Sequence, residues 1–177
     1  MDVRSQYEHR SAPHTDARQQ AHVFGSPLTE ADFQQLERCG IPRALAEQAG
    51  LRRVDSLTGA EMMGRAGRSG DYAGVIFTYT APWHAGIREY RLWRDHPDLE
   101  MSGGQLKEKA KYVAPPGRGN LLYFAPNVSQ EWLEDVSLPV VIVEGEKECL
   151  AVSQLAWYES TDTDEKPSLL AIGLSGV

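Results

Sequence analysis

The sequence predicts an α/β protein with an α+β amino-terminal part. A small helical hairpin and a mixed β subdomain precede an incomplete β-α-β unit with parallel strands. Three observations carry this. Residues 138–143 are an unbroken apolar run followed by Glu144-Gly145, by a segment with Leu150, Ala151, Gln154, Leu155 and Tyr158 at helical spacing, and by a second apolar run at 168–172. Unbroken apolar runs suit strands buried on both faces, and a helix between two such strands makes them parallel neighbours. Upstream, residues 75–79 and 87–93 are rich in β-branched and aromatic side chains, as strands are. Before them, two short helical patterns each end on a glycine, Gly40 and Gly50.

Composition sets the outer bounds. A chain of 177 residues with 41% apolar and 24% charged side chains falls in the globular range and needs no disulfide to fold. The longest apolar stretch is a few residues, far short of the ~20 that cross a bilayer. No apolar segment of a secretory leader follows Met1, and Cys39 and Cys149 form no CxxC pair, so a reducing cytoplasm with free thiols is expected, with no membrane partner. Net charge is −7, yet six arginines face three acids over 38–68, four cations face Glu108 over 107–118, and ten acids face Lys147 over 131–165. That asymmetry suits a polyanion held in the middle and a cation held near the end, or an ordinary solvated surface.

Taken in order, residues 1–26 are polar and unpatterned and read as a flexible tail, whose His9, His14 and His22 lack metal-ligand spacing. Over 27–70, Thr29 caps a helix with Asp32 three residues on, Phe33 and Leu36 mark its buried face, and Pro42 opens a second helix. The pair reads as a packed hairpin, with a DNA-reading helix-turn-helix as the rarer alternative. Residues 64–70 form a glycine-arginine connection without the spacing of a phosphate-binding loop. The mixed β subdomain, 71–136, holds strands at 75–79 and 87–93, a loop at 95–105, and short strands at 111–113 and 121–124. The last unit, 137–177, places a helix over roughly 146–158.

The chemistry concentrates in Glu144-Gly145-Glu146-Lys147-Glu148. A carboxylate at the carboxyl end of a buried parallel strand lies where open α/β sheets bind ligands. Glu144 is therefore either a metal ligand or general base, or a carboxylate capping the next helix. Glu146 and Glu148 read as acids that favour a helix start.

This string resembles the first motif of TOPRIM domains, the metal-dependent fold of bacterial-type primases and topoisomerases: a hydrophobic strand, Glu-Gly, and an acid three residues after the glycine. Glu144, Gly145 and Glu148 match it, and the tail 169–177 resembles the second strand and glycine loop. The Glu-Gly-Glu-Lys variant is similar to an uncharacterised phage and plasmid family found beside primase and helicase domains. The upstream order of strand, turn, strand ending in Arg94, Lys111-Tyr112 and Leu122-Tyr123 resembles the primase subdomain that precedes TOPRIM.

The resemblance implies a primase-like DNA replication protein of a mobile element, performing nucleotidyl transfer on single-stranded DNA with Mg²⁺. Glu144 and Glu148 would be catalytic, with Glu144 a metal ligand. Arg94 and Lys111 would contact the template, beside Arg91 and Lys109, and a helicase or other replication protein would be a partner. The family's second metal cluster, Asp-x-Asp after a later strand, is absent; Asp162, Thr163 and Asp164 spell the pattern but precede the second strand. Weak Mg²⁺ binding and no primer synthesis are therefore expected of residues 1–177. The alternative is a non-catalytic nucleic-acid-binding or regulatory module on the same scaffold. A small-molecule enzyme is the third reading, and no phosphate loop or nucleophile constellation supports it.

Overall fold

The computed structural model describes residues 24–158 and 166–175. The chain forms α1 (Glu30–Glu37), α2 (Arg43–Gln48), β1 (Arg52–Val54), α3 (Ser56–Met62), β2 (Gly74–Ala81), β3 (His84–Arg94), β4 (Asp98–Ser102), β5 (Gln105–Lys109), β6 (Tyr112–Val113), β7 (Leu122–Phe124), α4 (Gln130–Glu134), β8 (Val140–Val143), α5 (Glu146–Tyr158) and β9 (Leu170–Leu174). Most of the expected tail and the Asp162 and Asp164 pair lie outside the described residues.

The helical hairpin forms as its caps dictate. The Thr29 hydroxyl accepts from the Asp32 amide and the Asp32 carboxylate accepts from the Thr29 amide, a complete capping box. Gly40 then takes φ +79°, the left-handed conformation that ends a helix. Asp32 is buried and its two oxygens also accept from Arg53 at 2.7 and 2.8 Å, while Arg53 reaches Asp95 at 2.6 Å. One capping acid thus ties α1 to β1 and to the end of β3.

A four-stranded antiparallel sheet runs β1-β2-β3-β6. On one face Val75, Phe77, Tyr79 and Trp93 enter the main core with Leu36, Ile41, Tyr123, Cys149, Leu150 and Ala171. On the other, Ile76 and Leu92 pack with Val54, Ala60, Met63, Tyr72 and Val113. The main core draws on the helical hairpin, the antiparallel sheet and the β8-α5-β9 unit together.

A second sheet runs β7-β9-β8, with β8 parallel to β9 in the register Val140–Leu170 to Val143–Gly173 and β7 antiparallel to β9. The expected parallel pair and the expected helix span are both present. Burial of 138–143 differs from expectation: β8 is an edge strand, and Val140 and Ile142 are 54% and 64% exposed, whereas Leu170 and Phe124 on the same sheet face are buried. The expected 95–105 loop differs too. It contains β4, which pairs with β5 in a two-stranded ribbon from Asp98–Lys109 to Ser102–Gln105, turning at Gly103-Gly104. Elements β1, α3 and α4 are further additions, three to seven residues long.

Candidate nucleic-acid interface at the Glu144–Gly145 turn

Strand β8 stops at Val143, the chain bends through Glu144 and Gly145, and α5 begins at Glu146. The turn lies directly over β9: a Cβ added to Gly173 would sit 2.9 Å from the Gly145 carbonyl oxygen and 3.2 Å from the Cβ atoms of Cys149 and Tyr123. Only a glycine in β9 permits that approach. Glu144 and Glu148 are both exposed, and the Glu148 carboxylate folds back over Gly145, so that a Cβ there would meet its Oε2 at 2.7 Å.

Between these two acids, Glu146 points the other way. It is 3% exposed, accepts a hydrogen bond from the buried Tyr79 hydroxyl of β2, and faces Arg91 of β3 at 3.5 Å. Burial raises the Tyr79 phenol above its ordinary range, and the Glu146 charge and hydrogen bond raise it further. Burial likewise raises Tyr112, helped by the charges of Glu146 and Glu148 and opposed by Arg91.

Aromatic rings and cations complete the cluster. Trp93 and Tyr112 stack at 6.5 Å between centroids, 18° from parallel. The Lys147 ammonium lies 4.2 Å from the Trp93 ring centroid and 5.9 Å from that of Tyr112, and the Arg91 guanidinium lies 5.5 Å from Tyr112. The Arg91 Nε–H is buried without an acceptor. A buried donor left unpaired carries a desolvation cost of about 1–3 kcal/mol. Arg118 meets the buried Glu89 at 3.2 Å further along the same strand face.

The four cations named from sequence separate. Arg91 stands with the Glu144 turn. Arg94 lies on the opposite face of β3, its side chain 1% exposed, donating to the Asp71 carbonyl at 2.6 Å, the Ala110 carbonyl at 3.3 Å and both Asp98 oxygens at 3.0 and 3.2 Å. Four of the five guanidinium N–H groups of Arg94 are thus engaged within the protein, at the base of the ribbon and away from the Glu144 turn. Lys109 pairs with Glu100 and Lys111 with Glu108, the latter at 2.7 Å, both at the exposed ribbon. Sequence reasoning read Glu146 only as a helix-start acid and gave Lys147, Tyr79 and Trp93 no role at the site. The signal was present for Trp93: period-2 alternation puts it on the face of Arg91.

For Mg²⁺, two exposed carboxylates separated by a glycine turn suit an ion that takes one or two carboxylates and completes its shell with water and substrate phosphates. Among the described residues no group of three or more His, Cys, Asp or Glu converges to hold a metal without substrate. A groove of about 280 Å³ on another side of α5, lined by Pro42, Leu45, Trp132 and Trp157 among others, contains no charged side chain and so does not suit phosphate. Comparison with protein-family models, curated proteins and solved structures gave no match.

Proposed function

We propose that this chain is primase-like and works on single-stranded DNA in mobile-element replication, with the Glu144–Gly145 turn as its nucleotidyl-transfer centre. The observation that carries the reading is the parallel β8–β9 pair joined by α5, with Glu144 closing β8 and Gly173 of β9 lying under the turn. This is the arrangement that the motif resemblance requires. Glu144 and Glu148 would hold Mg²⁺, which supplies charge stabilisation at the phosphates during transfer.

The chain's own contribution is positioning. The Glu146 carboxylate, fixed by Tyr79, anchors the first turn of α5 on the antiparallel sheet and so sets the outward direction of Glu144 and Glu148. Arg91 and Lys147 are the cations beside the turn that would meet a phosphate, Arg91 with its side chain partly exposed and Lys147 by leaving its aromatic bed. A helicase or another replication protein is the working partner this role implies.

The test is single-stranded DNA binding across a salt series, with Mn²⁺ uptake read by electron paramagnetic resonance. Arg91→Ala and Lys147→Ala should each flatten the salt slope by about one unit, since each phosphate contact released accounts for that much. Mn²⁺ uptake should be weak, strengthen with nucleotide, and fall in Glu144→Gln. Unchanged slopes in both cation variants would overturn the phosphate site. Normal binding with Mn²⁺ uptake indifferent to Glu144→Gln would leave a non-catalytic binding module and make Glu144 a helix cap.

A further inference from the structure

Helix α5 carries no charge from Cys149 to Tyr158. There it forms one wall of the groove of about 280 Å³, whose other walls are α2, the 125–127 segment after β7, and Trp132 of α4. The indoles of Trp132 and Trp157 stand 5.9 Å apart between centroids, tilted by 59°, and Trp157 is 42% exposed. Pro42 adds a further apolar ring. The polar lining includes the side-chain amides of Gln48, Asn127 and Gln154, none of which is hydrogen-bonded among the described residues. Each amide has two N–H donors, and an indole N–H is one more.

The need of those donors for acceptors selects the kind of chain that fits. No lining residue belongs to a strand, so the groove offers no backbone edge for strand addition. A helical ligand keeps its own carbonyls paired and gives the amides no backbone acceptor. A polyproline II segment has no internal hydrogen bonds, so its carbonyls are free to accept, and its rings pack against aromatic walls. Indoles beside amide donors are what such a segment requires.

Charge narrows the partner further. Arg43 is paired with Glu30 and Lys166 with Asp135, which leaves Glu47, Glu131 and Glu134 exposed and without a salt bridge among the described residues. Three such carboxylates, with no unpaired cation on α2, α4 or the 125–127 segment, repel a phosphate backbone and favour a cationic chain. We propose that the groove takes a proline-rich segment of a partner protein, flanked by arginine or lysine, with its rings on Trp132 and Trp157 and its cations toward Glu47, Glu131 and Glu134. This site is separate from the Glu144 turn and does not depend on nucleotidyl transfer there.

The probe is a synthetic peptide of three Ala-Pro-Pro repeats with a pair of arginines at each end, titrated into the full chain by calorimetry. It should bind with a Kd below about 1 mM; Trp157→Ala should weaken it at least ~10-fold, and Gln48→Ala should weaken it too. Both residues are exposed, so circular dichroism should show the fold unchanged. Glutamine in place of the peptide's arginines, or Glu131→Gln with Glu134→Gln in the protein, should weaken binding and reduce its dependence on salt. Absence of binding at about 1 mM peptide, binding indifferent to both Trp157→Ala and Gln48→Ala, or equal binding of a peptide with alanine for every proline would each overturn the proposal. Displacement of the peptide by single-stranded oligoadenylate, lost in Trp157→Ala, would assign the groove to nucleic acid and overturn it as well.

Discussion

Arg91 and Arg94 are three residues apart on β3 and therefore lie on opposite faces of its sheet. Arg91 faces Glu146 at the start of α5, with its Nε–H unpaired. Arg94 faces Tyr72 and the ribbon base, with four of its five donors engaged. The first carries unused hydrogen-bonding capacity and the second carries structure.

Exchange of the two residues should separate these roles. Arg94→Met removes several charge-assisted hydrogen bonds and should destabilise the protein by about 2–3 kcal/mol. Limited proteolysis should then cut within 98–109. Arg91→Met should cost about 1 kcal/mol, since Glu146 keeps the Tyr79 hydroxyl. Urea denaturation of both variants checks the difference; equal losses would mean that Arg91 is as structural as Arg94.

The Glu146 carboxylate should prove coupled to Tyr79. Glu146→Ala leaves the Arg91 charge and the Tyr79 hydroxyl buried without their acceptor, at about 3 kcal/mol. Tyr79→Phe should cost about 1 kcal/mol, and once Glu146 is alanine the same change should cost nearly nothing. A double-mutant cycle in urea measures this directly, and additive losses would deny the interaction.

Stability should fall on acidification partly through Asp32. Burial pushes its carboxyl upward, but hydrogen bonds from Arg53 and Thr29 outweigh that and hold it below the usual carboxylate range. A group whose folded pKa is depressed stabilises the fold above its unfolded pKa and loses that contribution as pH falls through the folded value. Asp32→Asn should therefore be less stable than wild type at neutral pH, with the gap narrowing below about pH 4. A gap that stays constant with pH would remove the ionised carboxylate from the explanation.

The two cysteines should react on different clocks. Cys39 is exposed, whereas Cys149 is fully buried, its thiol pushed up to about 11 chiefly by burial. At pH 8 a thiol reagent should label one cysteine quickly and the second only on unfolding, because the thiolate is the nucleophile. Rapid labelling of both in the native protein would show that α5 opens from the sheet.

Some of this architecture follows from the sequence by itself. The β8-α5-β9 unit was legible because unbroken apolar runs and helical spacing are local signals, and the α1 boundaries because Thr29, Asp32 and Gly40 satisfy helix ends with neighbouring atoms. Elements β1, α3 and α4 were not, being too short for a periodic pattern to stand out. The ribbon's alternating Leu99 and Met101 were present in the sequence but masked by Pro97 and the paired glycines, which signal a loop.

Only the tertiary structure decided the site. In sequence Glu146 is an ordinary helix-start acid, at home in solvent. Its burial depends on Tyr79, 67 residues away, and on which face of β3 turns toward α5. Alternation along a strand separates Arg91 from Arg94, but it cannot say which face will meet a helix and which will root a ribbon. That choice is made when the two sheets pack, because long-range burial of Phe77, Tyr123 and Leu150 in one core determines which polar groups are carried inside with them.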